Sequence, residues 1–390
     1  MTKRAPRLLF LLASDWYFYW HRLALAQRVA AAGYDVHVAT PAGRFCSAIE
    51  AAGLHHHPIR MDRQGRNPFK DLATVKYLLD LYRELQPTLV HHVAIKPVIY
   101  GSIAAKLAEV PVMINAMPGM GYVFLSRQLL ARLIRPGVKA AFRMLLNAPN
   151  SRIILENRDD MQKWVAWGVL RADRIVIIPG SGVDTALFRP APEPPGVALI
   201  VLPARLLFDK GVAEFIEAAR LLRQRGVRAR FALLGEGDPG NPASVPPGQL
   251  RQWEQEGIVE LLGWRDDVPE ILARSHIVCL PSYGEGLPRA LLEAAACGRP
   301  IVATDVPGCR DIVRDGENGL LVPPRQSVPL ADALERLIGD ASLRAAFGAR
   351  GRERVLAEFS LDTVAAETLH LYAALLGPRA PCTVTTEGGY

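Results

Sequence analysis

Residues 198–235 read ALIVLPARLLFDKGVAEFIEAARLLRQRGVRARFALLG. The first seven residues and the last seven are apolar runs of strand length, and the segment between them, Gly211 to Gly226, reads as a helix. Strands that stay apolar without alternation are buried on both faces, and a strand–helix–strand order belongs to parallel sheets flanked by helices. Further runs at 277–280 and 301–304 extend the same series.

Upstream, a second series of the same kind precedes it. RLLFLLA (7–13) is followed by the amphipathic HRLALAQRVAAAG, with Gly33 placed as a helix C-cap, and then by YDVHVAT. The runs at 88–94, 110–116, 151–157 and 175–178 continue it. Two series predict an α/β protein of two Rossmann-like, doubly wound domains. The proline-rich FRPAPEPPG (188–196) reads as their linker. The expected division is 1–190, 191–376 and a loose tail 377–390, with a helix at about 360–377 able to pack back on the first domain. Ligands bind outside the carboxyl ends of parallel strands, so two such sheets are expected to face a shared cleft.

The bulk numbers agree. A chain of 390 residues exceeds one ordinary domain, and 50% hydrophobic residues exclude a disordered protein. Five cysteines without metal spacing suit a reducing cytosol. No apolar run approaches a membrane span, and the short apolar start that runs into Asp15 reads as a first strand. The net charge of +7 is uneven: residues 1–190 hold 25 Lys/Arg against 13 Asp/Glu, and the rest hold 21 against 26. A basic first half suits an anionic membrane surface or nucleic acid, and also simple drift in surface composition.

Four loops in the second half carry matched chemistry. After the strand at 198–204 come Arg205, Lys210 and Gly211 at a helix start, which suits a diphosphate; an ordinary surface pair of cations has the same spacing. Gly235 opens the turn GEGD (235–238), and Arg265 lies in GWRDDVPEIL (263–272), where a plain helix cap by Asp266 or Asp267 explains the pattern equally well. The fourth is SYGEGLPRALLEAAACGRPIVAT (282–304). Pro288 suits the first turn of a helix starting near Leu287, so Glu285 lies just before it and Glu293 two turns on. Two carboxylates suit two sets of vicinal hydroxyls, and the N–H groups of Gly286 and Leu287 suit an anion between them. A nucleotide sugar has that chemistry.

The stretches EGLPRALLE, PARLLFDKG, IPGSGVDTALF and DGENGLLVPP resemble retaining glycosyltransferases of family 4, over roughly residues 6–375. The resemblance implies the GT-B fold, with the donor on the carboxy-terminal domain and the acceptor on the amino-terminal one. It implies that Arg205 and Lys210 hold and stabilise the leaving diphosphate, Glu285 contacts the donor sugar and Glu293 the ribose. Positive side chains at a developing negative charge need no metal, and no convincing DxD motif follows a strand, so metal-independent transfer without a cofactor is expected.

In the first half, SDWYFYWHR (14–22) reads as a loop with Asp15, Trp16 and His21 at the acceptor. His91 in VHHVAIKP is a candidate base and Lys96 an anion contact, although a strand histidine is usually a core residue. Gly119 and Gly121 permit close backbone approach, and Asn157 ends another strand. Arg127, Arg132, Arg135, Lys139 and Arg143 are basic positions without an intervening acid over 125–146, which suits anionic headgroups; a solvated helix face is the plainer alternative. The run His55–His57 reads as surface, with no other ligand near it.

Within the family, IKPVIYG and GMGYVF look like a bacterial branch that extends undecaprenyl-diphosphate-linked oligosaccharides, though Pro118–Gly119 departs from its Thr-Gly. The expected protein is a cytoplasmic transferase, peripheral on the inner face of the membrane. It would take a hexose or N-acetylhexosamine from a UDP-sugar to a lipid-linked saccharide acceptor, without nucleic acid. A UDP-sugar 2-epimerase of the same architecture and a non-catalytic nucleotide-sugar-binding protein are the alternatives.

Overall fold

The apolar runs pair side by side and in parallel, as burial on both faces requires. The structure is a computed structural model that describes residues 5–62, 67–119, 124 and 129–381. It divides into one unit of Met1–Ser181 with Leu361–Tyr390 and another of Gly182–Ser360.

The first unit is built on seven parallel strands: β1 Arg7–Leu11, β2 Asp35–Pro41, β3 His55–Ile59, β4 Leu89–Val93, β5 Val112–Met117, β6 Ser151–Leu155 and β7 Ile175–Ile177. Their order is β3-β2-β1-β4-β5-β6-β7. The second unit has six parallel strands: β8 Ala198–Pro203, β9 Ala229–Leu234, β10 Glu260–Gly263, β11 Ile277–Leu280, β12 Ile301–Thr304 and β13 Gly319–Val322, ordered β10-β9-β8-β11-β12-β13. In each unit the chain starts in the middle, winds to one edge, returns and winds to the other.

Three expectations change. The segment 14–22 is a helix, Asp15–His21, whose N-cap Ser14 accepts from Tyr17 N. It ends at Arg22, a buried residue whose guanidinium bonds Gly180 O and lies 3.8 Å from Glu156. The division falls at Ser181/Gly182, ahead of the proline-rich stretch. Val183 and Phe188 are already buried in the second unit, and Val183 N donates to Phe359 O. Arg352 donates to Thr185 O and Phe188 O, and Arg344 pairs with Glu193 at 2.5 Å, so 185–193 is clasped to that unit and is no free linker. Finally, the expected tail begins with a short 3-10 turn, Gly377–Arg379.

The helix Leu361–Leu376 belongs to the first unit. Val364, Leu371 and Tyr372 share a core with Phe10 and Phe18. Cys279, Cys297 and Cys309 are buried free thiols and Cys46 is a half-buried one. Among the described residues no helix is long and apolar enough to cross a membrane.

Candidate active site

In the second sheet the winding reverses between β8 and β11, and an open parallel sheet offers its ligand crevice outside the carboxyl ends at such a point. The loops leaving those two strands carry Lys210 and Glu285. Lys210 Nζ donates to Glu285 Oε1 at 2.6 Å, and Ser282 Oγ donates to the same oxygen at 2.6 Å. Both partners of the ion pair are largely screened from solvent, with side chains 20% and 11% exposed.

The backbone of the two loops is stitched together. Tyr283 N donates to Asp209 O at 2.8 Å, and Thr304 Oγ1, at the end of β12, bonds Ser282 O. Two glycines make the approach possible. Gly211 has φ +74°, and a Cβ there would lie 2.1 Å from Pro281 O; Gly308 has φ +80°, with its Cβ 2.2 Å from Gly286 O. Tyr283 adds a further link, donating its hydroxyl to Glu214 Oε1 at 2.6 Å while the Arg325 guanidinium lies 4.5 Å over its ring.

The remaining second-unit candidates surround this pair. Arg205 donates to Asp238 Oδ2 at 2.5 Å, with 46% of its side chain exposed. Gly235, at φ +138°, leads into the turn that carries Asp238, and its Cβ would collide with Ala204 O. The following helix is Arg289–Ala296, beginning after Pro288 and two residues later than the sequence implies. Glu293 lies in its second turn and accepts from Arg289 Nε at 2.7 Å; burial pushes its carboxyl up, against the pull of Arg289. Leu287 packs its side chain on the unit's core, so its part in anion binding is limited to its backbone. Arg265 is exposed and grips Asp267 through two bonds of 2.7 and 2.6 Å. Asp267 stands at the N-cap of Val268–Arg274 but makes no side-chain cap bond there.

In the first sheet the winding reverses between β1 and β4. Asp15 lies just beyond β1, and its carboxylate accepts from Phe45 N at 2.9 Å. Gly43 passes so close that a Cβ would meet that carboxylate. Trp16 and His21 are half-buried neighbours, and His21 stacks on Tyr17 with ring centroids 4.3 Å apart. Beyond β4, Ala94 has φ +77° and ψ 163°, a strained setting for a residue with a side chain. Gly119 also has positive φ, +140°.

Several first-unit candidates take structural places instead. His91 is 1% exposed inside β4; its Nδ1 is 2.5 Å from Tyr372 Oη, and its Nε2 is buried without a hydrogen-bond partner. It is a core histidine, held well toward its neutral form first by burial and then by Arg22, and not a base at the surface. Asn157 is the N-cap of Arg158–Ala166, accepting from Asp160 N at 2.7 Å, and is 1% exposed. Lys96 donates to Asp62 O at 2.9 Å and lies 3.5 Å from Asp71, so its charge is already engaged.

Gly121 and Arg127 lie outside the described residues. Arg132, Arg135, Lys139 and Arg143 fall on one helix, Leu129–Leu146. On it Arg143 is exposed, Lys139 sits 4.1 Å over the Trp167 ring, and Leu133 and Met144 are 68% and 69% exposed.

Sequence reasoning missed Ser282, the Tyr283–Glu214 link, Arg325 and the turn at Ala94. Ser282 opens the stretch 282–304, but only the fold brings its hydroxyl to Glu285. Arg325 follows a strand too short to stand out, and an alanine at positive φ leaves no trace in sequence.

Residues 7–156 match the family described as "Glycosyl transferase 4-like", and residues 198–340 match "Glycosyl transferases group 1". The chain is 26% identical over 382 residues to the Campylobacter jejuni N,N'-diacetylbacillosaminyl-diphospho-undecaprenol alpha-1,3-N-acetylgalactosaminyltransferase, covering 94% of this chain and 98% of that protein. It is also 26% identical over 290 residues to the Escherichia coli UDP-Gal:alpha-D-GlcNAc-diphosphoundecaprenol alpha-1,3-galactosyltransferase, covering 70% and 72%. The solved structure of Anabaena HepE in complex with UDP-glucose superposes with a TM-score of 0.78 at 21% identity, over 94% of this chain and 99% of that one. At that identity the likeness concerns the fold, which is GT-B.

Proposed function

Since the chain belongs to the glycosyltransferases that join a 4-like amino-terminal domain to a group 1 carboxy-terminal domain, we propose that it moves a hexose or N-acetylhexosamine from a UDP-sugar, with retention, to a polyprenyl-diphosphate-linked saccharide in surface glycan synthesis. The observation that carries this reading is the Lys210–Glu285–Ser282 cluster at the reversal point of the second sheet. Both of those bonds fall on Oε1, so the other carboxylate oxygen is the one offered to a sugar hydroxyl. The relatives' printed acceptors, diphospho-undecaprenol saccharides, support the acceptor class.

Loss of the sugar leaves negative charge on the departing diphosphate. Lys210, and Arg205 once it exchanges Asp238 for a phosphate oxygen, answer that charge with preorganised donors. No metal is required by this arrangement. Glu293 receives the ribose hydroxyls, and the leaving phosphate takes the acceptor proton on the same face of the sugar. The first domain receives the acceptor near Asp15 and the Ala94 turn. The helix Leu129–Leu146 rests on the inner face of the cytoplasmic membrane.

The test is transfer from a panel of radiolabelled UDP-sugars to butanol-extractable bacterial lipid, with EDTA present. Label that enters lipid from one donor, and is lost in Glu285→Ala and Lys210→Ala, supports the proposal. Recovery of the UDP-sugar as an isomer, with no lipid label, would sink it.

A further inference from the structure

Four histidines and one aspartate gather at one edge of the first sheet, on β2 and β3. His37 of β2 and His55 of β3 stand opposite each other in register, and Asp35 precedes His37 by two residues on the same face. Asp35 Oδ1 lies 3.3 Å from His37 Nε2 and 3.4 Å from His55 Nε2. All three ligand atoms fall within 4.8 Å of one another.

We propose that Asp35, His37 and His55 bind a divalent transition-metal ion of the Zn2+ class, with water completing the site. Bonds of about 2.0–2.1 Å from Zn2+ to nitrogen and oxygen set neighbouring ligands of a tetrahedron about 3.3–3.4 Å apart. The two distances to Asp35 Oδ1 already have that value. His37 Nε2 is buried and has no hydrogen-bond partner, although a carboxylate oxygen is beside it. An ion between the two satisfies both.

The surroundings fit a metal ligand set. His37 Nδ1 lies 2.9 Å from His57 Nε2, the outer hydrogen bond that fixes a ligating imidazole and its tautomer. Asp35 turns its other oxygen toward Arg7, at 3.6 Å, leaving Oδ1 for the ion. The His37 and His55 rings are stacked 4.7 Å apart, so the His55 ring must turn to aim its lone pair, and its side chain is 64% exposed. Neutral imidazole nitrogens with one carboxylate oxygen favour Zn2+ over the all-oxygen sites of Mg2+ or Ca2+.

The site lies at the amino ends of β2 and β3, and β3 is the sheet's edge strand. Its effect is to pin a polar edge strand, HHHPI, to its neighbour. It takes no part in sugar transfer and does not rest on that reading. The sequence shows only His55–His57; the sheet supplies the other ligands from about twenty positions upstream.

The tag-free full-length chain, stripped with EDTA and exchanged into metal-free buffer, is titrated with Zn2+ by calorimetry and its melting temperature followed. One Zn2+ per chain is expected, with a higher melting temperature. His55→Ala and Asp35→Asn should each weaken binding by about tenfold or more, with circular dichroism showing a retained fold. His56→Ala should bind as the parent does, because His56 Nε2 is engaged 2.9 Å from Thr40 Oγ1. Absence of stoichiometric binding, binding that survives both His55→Ala and Asp35→Asn, or equal loss in His56→Ala overturns the proposal.

Discussion

Lys210 Nζ and Glu285 Oε1 lie 2.6 Å apart although 75 residues separate them in the chain. Each side chain is placed to exchange the other for a part of the donor. Under the proposed mechanism the two roles separate. Lys210→Ala should weaken UDP binding and lower turnover, because it meets the leaving phosphate. Glu285→Gln should leave UDP affinity near the parent value while turnover falls about 10²–10³-fold, the usual loss for one preorganised group in a transition state. Calorimetric UDP titration beside initial rates reads both, and equal loss of UDP affinity in the two variants would argue against this division.

The glycine at 308 sets where Glu285 can sit. Gly308→Ala places a methyl group 2.2 Å from Gly286 O at a positive φ, so the loop before the helix must move. Gly316 has a similar φ, +74°, but nothing lies within 4 Å of an added Cβ. The alanine variant at 316 should therefore cost only the backbone term, about 1–2 kcal/mol, and keep its activity. Gly308→Ala should cost more than that and lose activity as well. Urea unfolding with transfer assays on both variants checks it.

That contrast also shows what the sequence could yield. Strand-like runs, IVELLG (258–263) among them, revealed eleven of the thirteen strands and both windings, because burial in a sheet leaves a compositional mark. The two that were missed, β3 and β13, are edge strands; one is HHHPI and the other only four residues long. The places of Arg205, Lys210 and Glu285 in loops beyond the carboxyl ends of β8 and β11 were legible, because the apolar runs before them stop short of these charges. His91 and Asn157 were misread for a common reason. A polar residue near a strand end can face a ligand or satisfy the fold's own buried groups, and only the positions of Tyr372 and Asp160 N decide which.

The second histidine of that strand makes the fold sensitive to acid. His92 is fully buried, 2.9 Å from Asn115 Oδ1 and 3.1 Å from Tyr82 Oη. An amide oxygen only accepts, so Nδ1 carries the proton and Nε2 accepts from the tyrosine. The ring is thus satisfied as the neutral form, and burial lowers its pKa to about 4. In the unfolded chain a histidine titrates near about 6.5. Its contribution is therefore fully present above that pH and is lost as pH falls toward about 4, because the unfolded chain binds the extra proton. One such group gives a slope of at most about 1.4 kcal/mol per pH unit. His92→Gln should reduce the dependence of urea-unfolding free energy on pH between 6.5 and 4, leaving the part due to the other histidines that burial holds low, His91, His37, His56, His57 and His276. An unchanged slope would place the acid sensitivity elsewhere.

The proposed membrane contact is the most open to direct trial. On the helix Leu129–Leu146, Leu133 and Met144 are exposed and lie on one face, eleven residues or about three turns apart. Ile134, 44% exposed, and the cationic Arg143 flank them. A helix that rested in water alone would gain nothing from these apolar side chains, whereas at a bilayer they enter the headgroup boundary and the cations meet lipid phosphates. Each basic residue near an anionic surface contributes about 1 kcal/mol, so Arg143→Glu should weaken vesicle binding by well over fivefold. Met144→Asp should weaken it without changing its salt dependence, since it removes apolar burial and leaves the cations. Co-sedimentation with phosphatidylglycerol-containing and purely zwitterionic vesicles, at low and high salt, separates the two contributions. Equal recovery with both vesicle types, or no effect of either variant, would remove this helix from the membrane and leave the acceptor lipid to bring the two together.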